Sequence, residues 1–116
     1  MNEELIMATA KTFKVKLGRY TVPFIHHSDY DFSSGDDYES YIIDPKYDGF
    51  TEIGIYYKKK NKKFKAQFVC FSAKKYGFTE ESDYATVFNT ESDMIKGFIS
   101  WLQSLSRSAP TKKSKK

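Results

Sequence analysis

A chain of 116 residues, with 29% charged and 40% apolar side chains, has room for one domain with a small core and none for a second. Its net charge of +4 and pI near 9.0 point toward polyanions, and apolar runs of four or five residues fall far short of the roughly 20 that a membrane helix needs. The lone cysteine, Cys70, cannot close an internal disulfide, and the start MNEELIMATA carries acids where a signal peptide carries cations; a cytoplasmic protein is expected, in the host cell if the source is viral.

Residues 1–10 are expected to be a flexible extension, and a single domain is expected over residues 11–106. KTFKVKLG alternates strictly, with Phe13, Val15 and Leu17 on one side and Lys14 and Lys16 on the other, as a half-buried strand requires. After a turn at Gly18, RYTVPFIHH alternates through Tyr20, Val22 and Phe24; Pro23 has no donor for a ladder, which implies an edge or a bulge. SDYDFSSGDD is a loop by composition, and YESYII is a short strand ending at Asp44-Pro45.

FTEIGIYY and KFKAQFVCFSA predict a hairpin with its tip near Asn61. Its core face takes Ile53, Ile55, Tyr57, Phe64, Ala66, Phe68 and Cys70. The opposite face takes Glu52, Gly54 and Tyr56 beside Lys63, Lys65, Gln67, Val69 and Phe71. YATVF is a last strand, and Thr90 caps a helix whose stripe of Met94, Phe98, Trp101, Leu102 and Leu105 closes the sheet, with Gly97 allowing close packing on a strand. Residues 107–116 form a basic tail that is expected to be disordered. The predicted architecture is α+β: a curved antiparallel sheet of four to six strands with one C-terminal amphipathic helix packed on one face.

Charge is segregated along the chain. Asp29, Asp31, Asp36, Asp37, Glu39, Asp44, Asp48 and Glu52 are relieved only by Lys46, whereas Lys58 to Lys75 holds eight lysines and no acid. Catalysis finds little support. His26 and His27 point to opposite faces of a strand, Cys70 falls on the core face, and no Gly-rich phosphate motif is present, so no catalytic residue is assigned. DYDFSSGDDYES spaces carboxylates at alternate positions, but its glycine and glutamate are out of register for a calcium loop and no helix flanks it; no metal or other cofactor is expected.

A lysine run is often only a solvated edge that keeps strands from aggregating. Here the lysines of KFKAQF share one face with Tyr56 and Phe71, and that combination suits single strands, whose phosphates meet cations while their bases stack on rings. The assigned contacts are Lys14, Lys16, Lys58, Lys59, Lys60, Lys62, Lys63 and Lys65 to phosphates, and Tyr56 and Phe71 to bases. RNA is favoured over single-stranded DNA, with little sequence preference. The competing expectation is a non-enzymatic interaction or inhibitor protein that docks its acidic segment 29–52 on a basic partner.

The strands with a basic exposed face, then YATVF, the cap NTESD and the helix MIKGFISWL, resemble the ββββα unit of the Whirly, PUR and positive-cofactor-four single-stranded nucleic-acid-binding families. KFKAQF is similar to the Lys-x-Lys-Ala strand motif of Whirly proteins, and in style the chain resembles Whirly-like RNA-binding proteins of large bacteriophages. The resemblance spans residues 11–106, implies Lys63 and Lys65 as contacts, and implies a homodimer or higher oligomer, because a single unit stands where Whirly proteins have two. The acidic insertion around Asp29 to Asp48 departs from the family pattern.

Overall fold

Residues 12–105 are described by the computed structural model; the N-terminal extension and the basic tail lie outside the described residues. Among these residues six strands, β1 (Thr12–Leu17), β2 (Tyr20–Asp31), β3 (Asp36–Ile43), β4 (Glu52–Lys60), β5 (Lys63–Phe71) and β6 (Ser82–Phe88), precede the helix α1 (Glu91–Ser104). The strands form one antiparallel sheet in the order of the sequence, curled into a half-barrel.

The alternation seen in the sequence sets which face is covered. Val15 and Leu17, Val22 and Phe24, Tyr41 and Ile43, Ile53, Ile55 and Tyr57, and Ala66, Phe68 and Cys70 all project to one face and are buried. α1 seals that face with Met94, Phe98 and Leu102, each fully buried. Phe98 packs edge-on against Phe24 and Phe68, at 5.6 and 5.3 Å between ring centroids, so one helical residue bridges distant strands. Thr90 caps the helix as predicted, its hydroxyl accepting from the Asp93 N–H at 3.0 Å.

Glycine is required at Gly54, where β3 and β4 approach closely: a Cβ there would stand 2.5 Å from the carbonyl oxygen of Tyr41. The β4–β5 hairpin turns through Asn61 and Lys62, with φ of 53° and 63°, the pair of positive angles that matches the twist of the flanking strands. Pro23 lies in an interior strand, yet its missing N–H is harmless. Its carbonyl accepts from the Asp44 N–H, so its ladder side faces the point where β3 has ended at Ile43.

The segment SDYDFSSGDD, expected to be a loop, is mostly strand. β2 runs to Asp31 and β3 begins at Asp36, leaving four residues of turn. Asp31 builds that turn by accepting from the Ser33 N–H at 3.0 Å and from the Ser33 and Ser34 hydroxyls at 2.7 and 2.9 Å, and Gly35 closes it at a φ of 76°. Polar composition hid the strands because both faces of this outer hairpin are solvated.

Candidate nucleic-acid interface

Among the described residues no helix lies over the face opposite α1. Cross-strand register puts Ser40, Tyr56 and Gln67 in one row, and Lys58, Lys65 and Val87 in the next. Over these rows lies a cleft of about 720 Å³, a size ordinary for ligand sites. Its lining includes Tyr30, Phe32, Tyr38 and Tyr56 together with Lys58, Lys65 and Gln67. Tyr38 and Tyr56 come from adjacent strands with their centroids 6.4 Å apart, and Tyr30 meets Phe32 edge-on at 4.9 Å. Phe32 is 88% exposed, so its ring is open to solvent at the rim of the cleft. Burial raises the Tyr56 phenol above its ordinary pKa, so the ring is neutral at physiological pH.

The cations differ in how free they are. Lys58 faces Lys65 and Lys60 faces Lys63 across the β4–β5 ladder, two like-charge pairs that repel. The β2–β3 tip relieves this. Lys58 Nζ lies 3.7 Å from carboxylate oxygens of both Asp31 and Asp36 and donates to Ser34 Oγ at 3.0 Å, while Lys60 donates to Asp36 at 3.2 Å. Lys63 donates to Asn89 Oδ1 at 2.7 Å. Lys65 makes no ion pair among the described residues. The Ser33 hydroxyl and other tip donors hold Asp31 at about 2, and the hydrogen bond from Lys60 lowers Asp36.

The assigned contacts therefore separate by position. Tyr56, Lys58 and Lys65 line the cleft, with Lys60 and Lys63 on the same face toward the hairpin end. Lys62 sits in the turn, and Lys59 points to the helix face with its Nζ 5.5 Å from the centroid of Phe64. Phe71 shares the open face but lies six residues along β5 from Lys65, about 20 Å at the rise of a strand. Lys14 and Lys16 stand opposite Pro23 and Thr21, whereas the row of Tyr56 crosses β2 at His27, so they too lie away from the cleft. The rings Tyr30, Phe32 and Tyr38, and Gln67 with them, were not among the assigned contacts. Tyr30 and Phe32 are aromatics set among the acids of a segment read as loop, Tyr38 opens the strand YESYII, and Gln67 falls on the open face by strand alternation.

On the helix face a second polar group ties α1 to the sheet. Tyr41 donates to Glu91 Oε2 at 2.6 Å, Tyr57 lies 3.1 Å from Glu39 Oε1 and 3.3 Å from Glu91 Oε2, and His26 Nε2 is 2.6 Å from Glu39 Oε1. Burial, then the neighbouring carboxylates, pushes both tyrosine hydroxyls far above their ordinary range, so they act as donors. Glu91 also sits in the first helical turn, where a negative charge is favoured.

Burial pushes the Cys70 thiol up to about 11, which favours the protonated thiol at neutral pH. Among the described residues no group of three or more His, Cys, Asp or Glu is placed to hold a metal ion, and no helix is long and apolar enough to cross a membrane. No family model, curated protein or solved structure matches the chain.

Proposed function

We propose that the protein binds single-stranded nucleic acid, RNA ahead of DNA, without a catalytic step and with little sequence preference. The observation that carries this reading is the cleft itself: Tyr30, Phe32, Tyr38 and Tyr56 line it with Lys58 and Lys65 on a sheet face that no helix among the described residues covers. Stacking on such rings stabilises by about 1–3 kcal/mol per base and tolerates any base, because every base has a π-face. Lysines beside them neutralise the phosphates that connect the stacked bases.

The acids of the 29–52 segment are largely engaged within the chain. Asp31 builds a turn, Asp36 holds Lys60, Asp44 accepts from the Lys46 N–H, and Asp48 accepts from the Phe50 and Thr51 N–H groups and the Tyr76 hydroxyl. That engagement favours the cleft over the acidic segment as the surface that meets a partner.

Fluorescence anisotropy with a labelled single-stranded RNA at two salt concentrations tests the proposal. Binding that weakens with salt, with a log–log slope near −0.7 per phosphate contact, is the expected result. Absence of binding at low salt and micromolar protein rejects it. Sedimentation of the protein with and without RNA measures the association of copies that the family resemblance implies.

A further inference from the structure

Two of the lysines assigned to phosphate, Lys58 and Lys60, are already occupied by carboxylates of the same chain. Lys58 Nζ has Asp31 Oδ2 and Asp36 Oδ2 at 3.7 Å and Ser34 Oγ at 3.0 Å, and Lys60 Nζ has Asp36 Oδ2 at 3.2 Å. These oxygens stand around an ammonium as phosphate oxygens do. The tip that carries them also contributes Tyr30, Asp31 and Phe32 to the wall of the cleft. The tip is prebuilt, since its internal hydrogen bonds to Asp31 form without any lysine.

We propose that the β2–β3 tip is a built-in phosphate mimic: Asp31 and Asp36 compete with the nucleic-acid backbone for Lys58 and Lys60, so binding is an exchange of carboxylate for phosphate. The inference rests on the single-strand reading and specifies how that same site is regulated. Exchange has a signature that simple neutralisation lacks. The counterions released on binding are those condensed on the nucleic acid, one share per phosphate neutralised, whereas breaking the internal ion pairs adds a cost that is largest at low salt and is screened away at high salt. Freeing Lys58 and Lys60 removes that cost, most at low salt, and so steepens the salt dependence.

Asp36→Asn is the variant of choice, because Asp36 contacts both lysines whereas Asp31 also builds the turn. Its affinity for single-stranded RNA is expected to tighten about two- to fivefold at low salt, the factor that corresponds to an exposed ion pair. The gain is expected to shrink as salt rises and screens the native ion pairs, so the log–log salt slope steepens. Adding Lys58→Ala to that variant should remove part of both gains. Glu81→Gln, which changes net charge equally from an exposed position outside the cleft, should produce neither.

The outcomes separate the two readings. If neither the native chain nor Asp36→Asn binds RNA at low salt, the single-strand reading falls and this inference falls with it. If the native chain binds but Asp36→Asn leaves affinity and slope unchanged, or Glu81→Gln tightens binding as much, the mimic is overturned and the binding site stands. Circular dichroism on each variant confirms that the comparison is between folded proteins.

Discussion

The ring of Phe88 lies so close over Gly97 that a Cβ on the glycine would fall 2.7 Å from Phe88 Cζ. The helix thus meets β6 through a missing side chain, and Phe88 in turn stacks on Phe68 at 5.8 Å. Gly97→Ala should therefore destabilise the protein although alanine is the better helix former by about 1 kcal/mol. Overpacking costs about 1–3 kcal/mol, which less the propensity gain leaves a net loss of up to about 2 kcal/mol in urea denaturation. Pairing the change with Phe88→Leu should recover part of the loss, a coupling measurable as a double-mutant cycle.

If bases stack in the cleft, the ring matters and the hydroxyl does not. Tyr38→Ala and Tyr56→Ala should each weaken RNA binding by about 1–3 kcal/mol, whereas Tyr56→Phe should bind like the native chain. Phe71→Ala should leave affinity within about twofold, because Phe71 lies outside the cleft. Anisotropy titrations of the four variants decide it, and equal losses at Phe71 and Tyr56 would place the bases elsewhere.

Acid stability has a visible source at Asp48. Partial burial raises its pKa, but donation from the Phe50 N–H, Tyr76 and Thr51 outweighs this and holds it at about 2. A folded pKa below the unfolded value means that the contribution is complete above about pH 4 and lost as pH falls through about 2. Urea midpoints should drop over that window, and Asp48→Asn should flatten the dependence while lowering stability at pH 7.

Cys70 is fully buried, and burial holds its thiol at about 11. A thiol reagent at pH 7.5 should label it only as fast as the protein opens, and at once in 6 M guanidinium, conditions chosen to unfold the chain. Labelling in seconds under native conditions would contradict the placement of this residue.

How far the sequence could be read depended on whether local periodicity carried the information. Phe13, Val15 and Leu17, or Phe64, Ala66 and Phe68, alternate with lysines, and β1, β4 and β5 follow directly from that pattern. The outer parts of β2 and β3 lacked such a pattern, since Ser28, Asp29, Asp36 and Asp37 are polar whichever way they face. Tyr30 and Phe32 were therefore read as loop residues, and Tyr38, read as the start of a short strand, had no partner face assigned; all three were missed as lining. The group formed by His26, Glu39, Tyr57 and Glu91 was invisible for another reason: four elements contribute to it, and no spacing within one segment announces such a meeting.

Because each strand pairs with the strand before it, the sheet is assembled from successive hairpins. No strand waits for a distant partner, so loop-closure entropy is met in small increments and relative contact order stays low for a β-rich chain. During synthesis the hairpins can zip in the order they leave the ribosome, each new strand covering the edge left open by the last. The helix arrives after β6, and Met94, Phe98 and Leu102 then dock on a sheet already laid down. Folding of this chain should be quick for its strand content, with the helix as the late step.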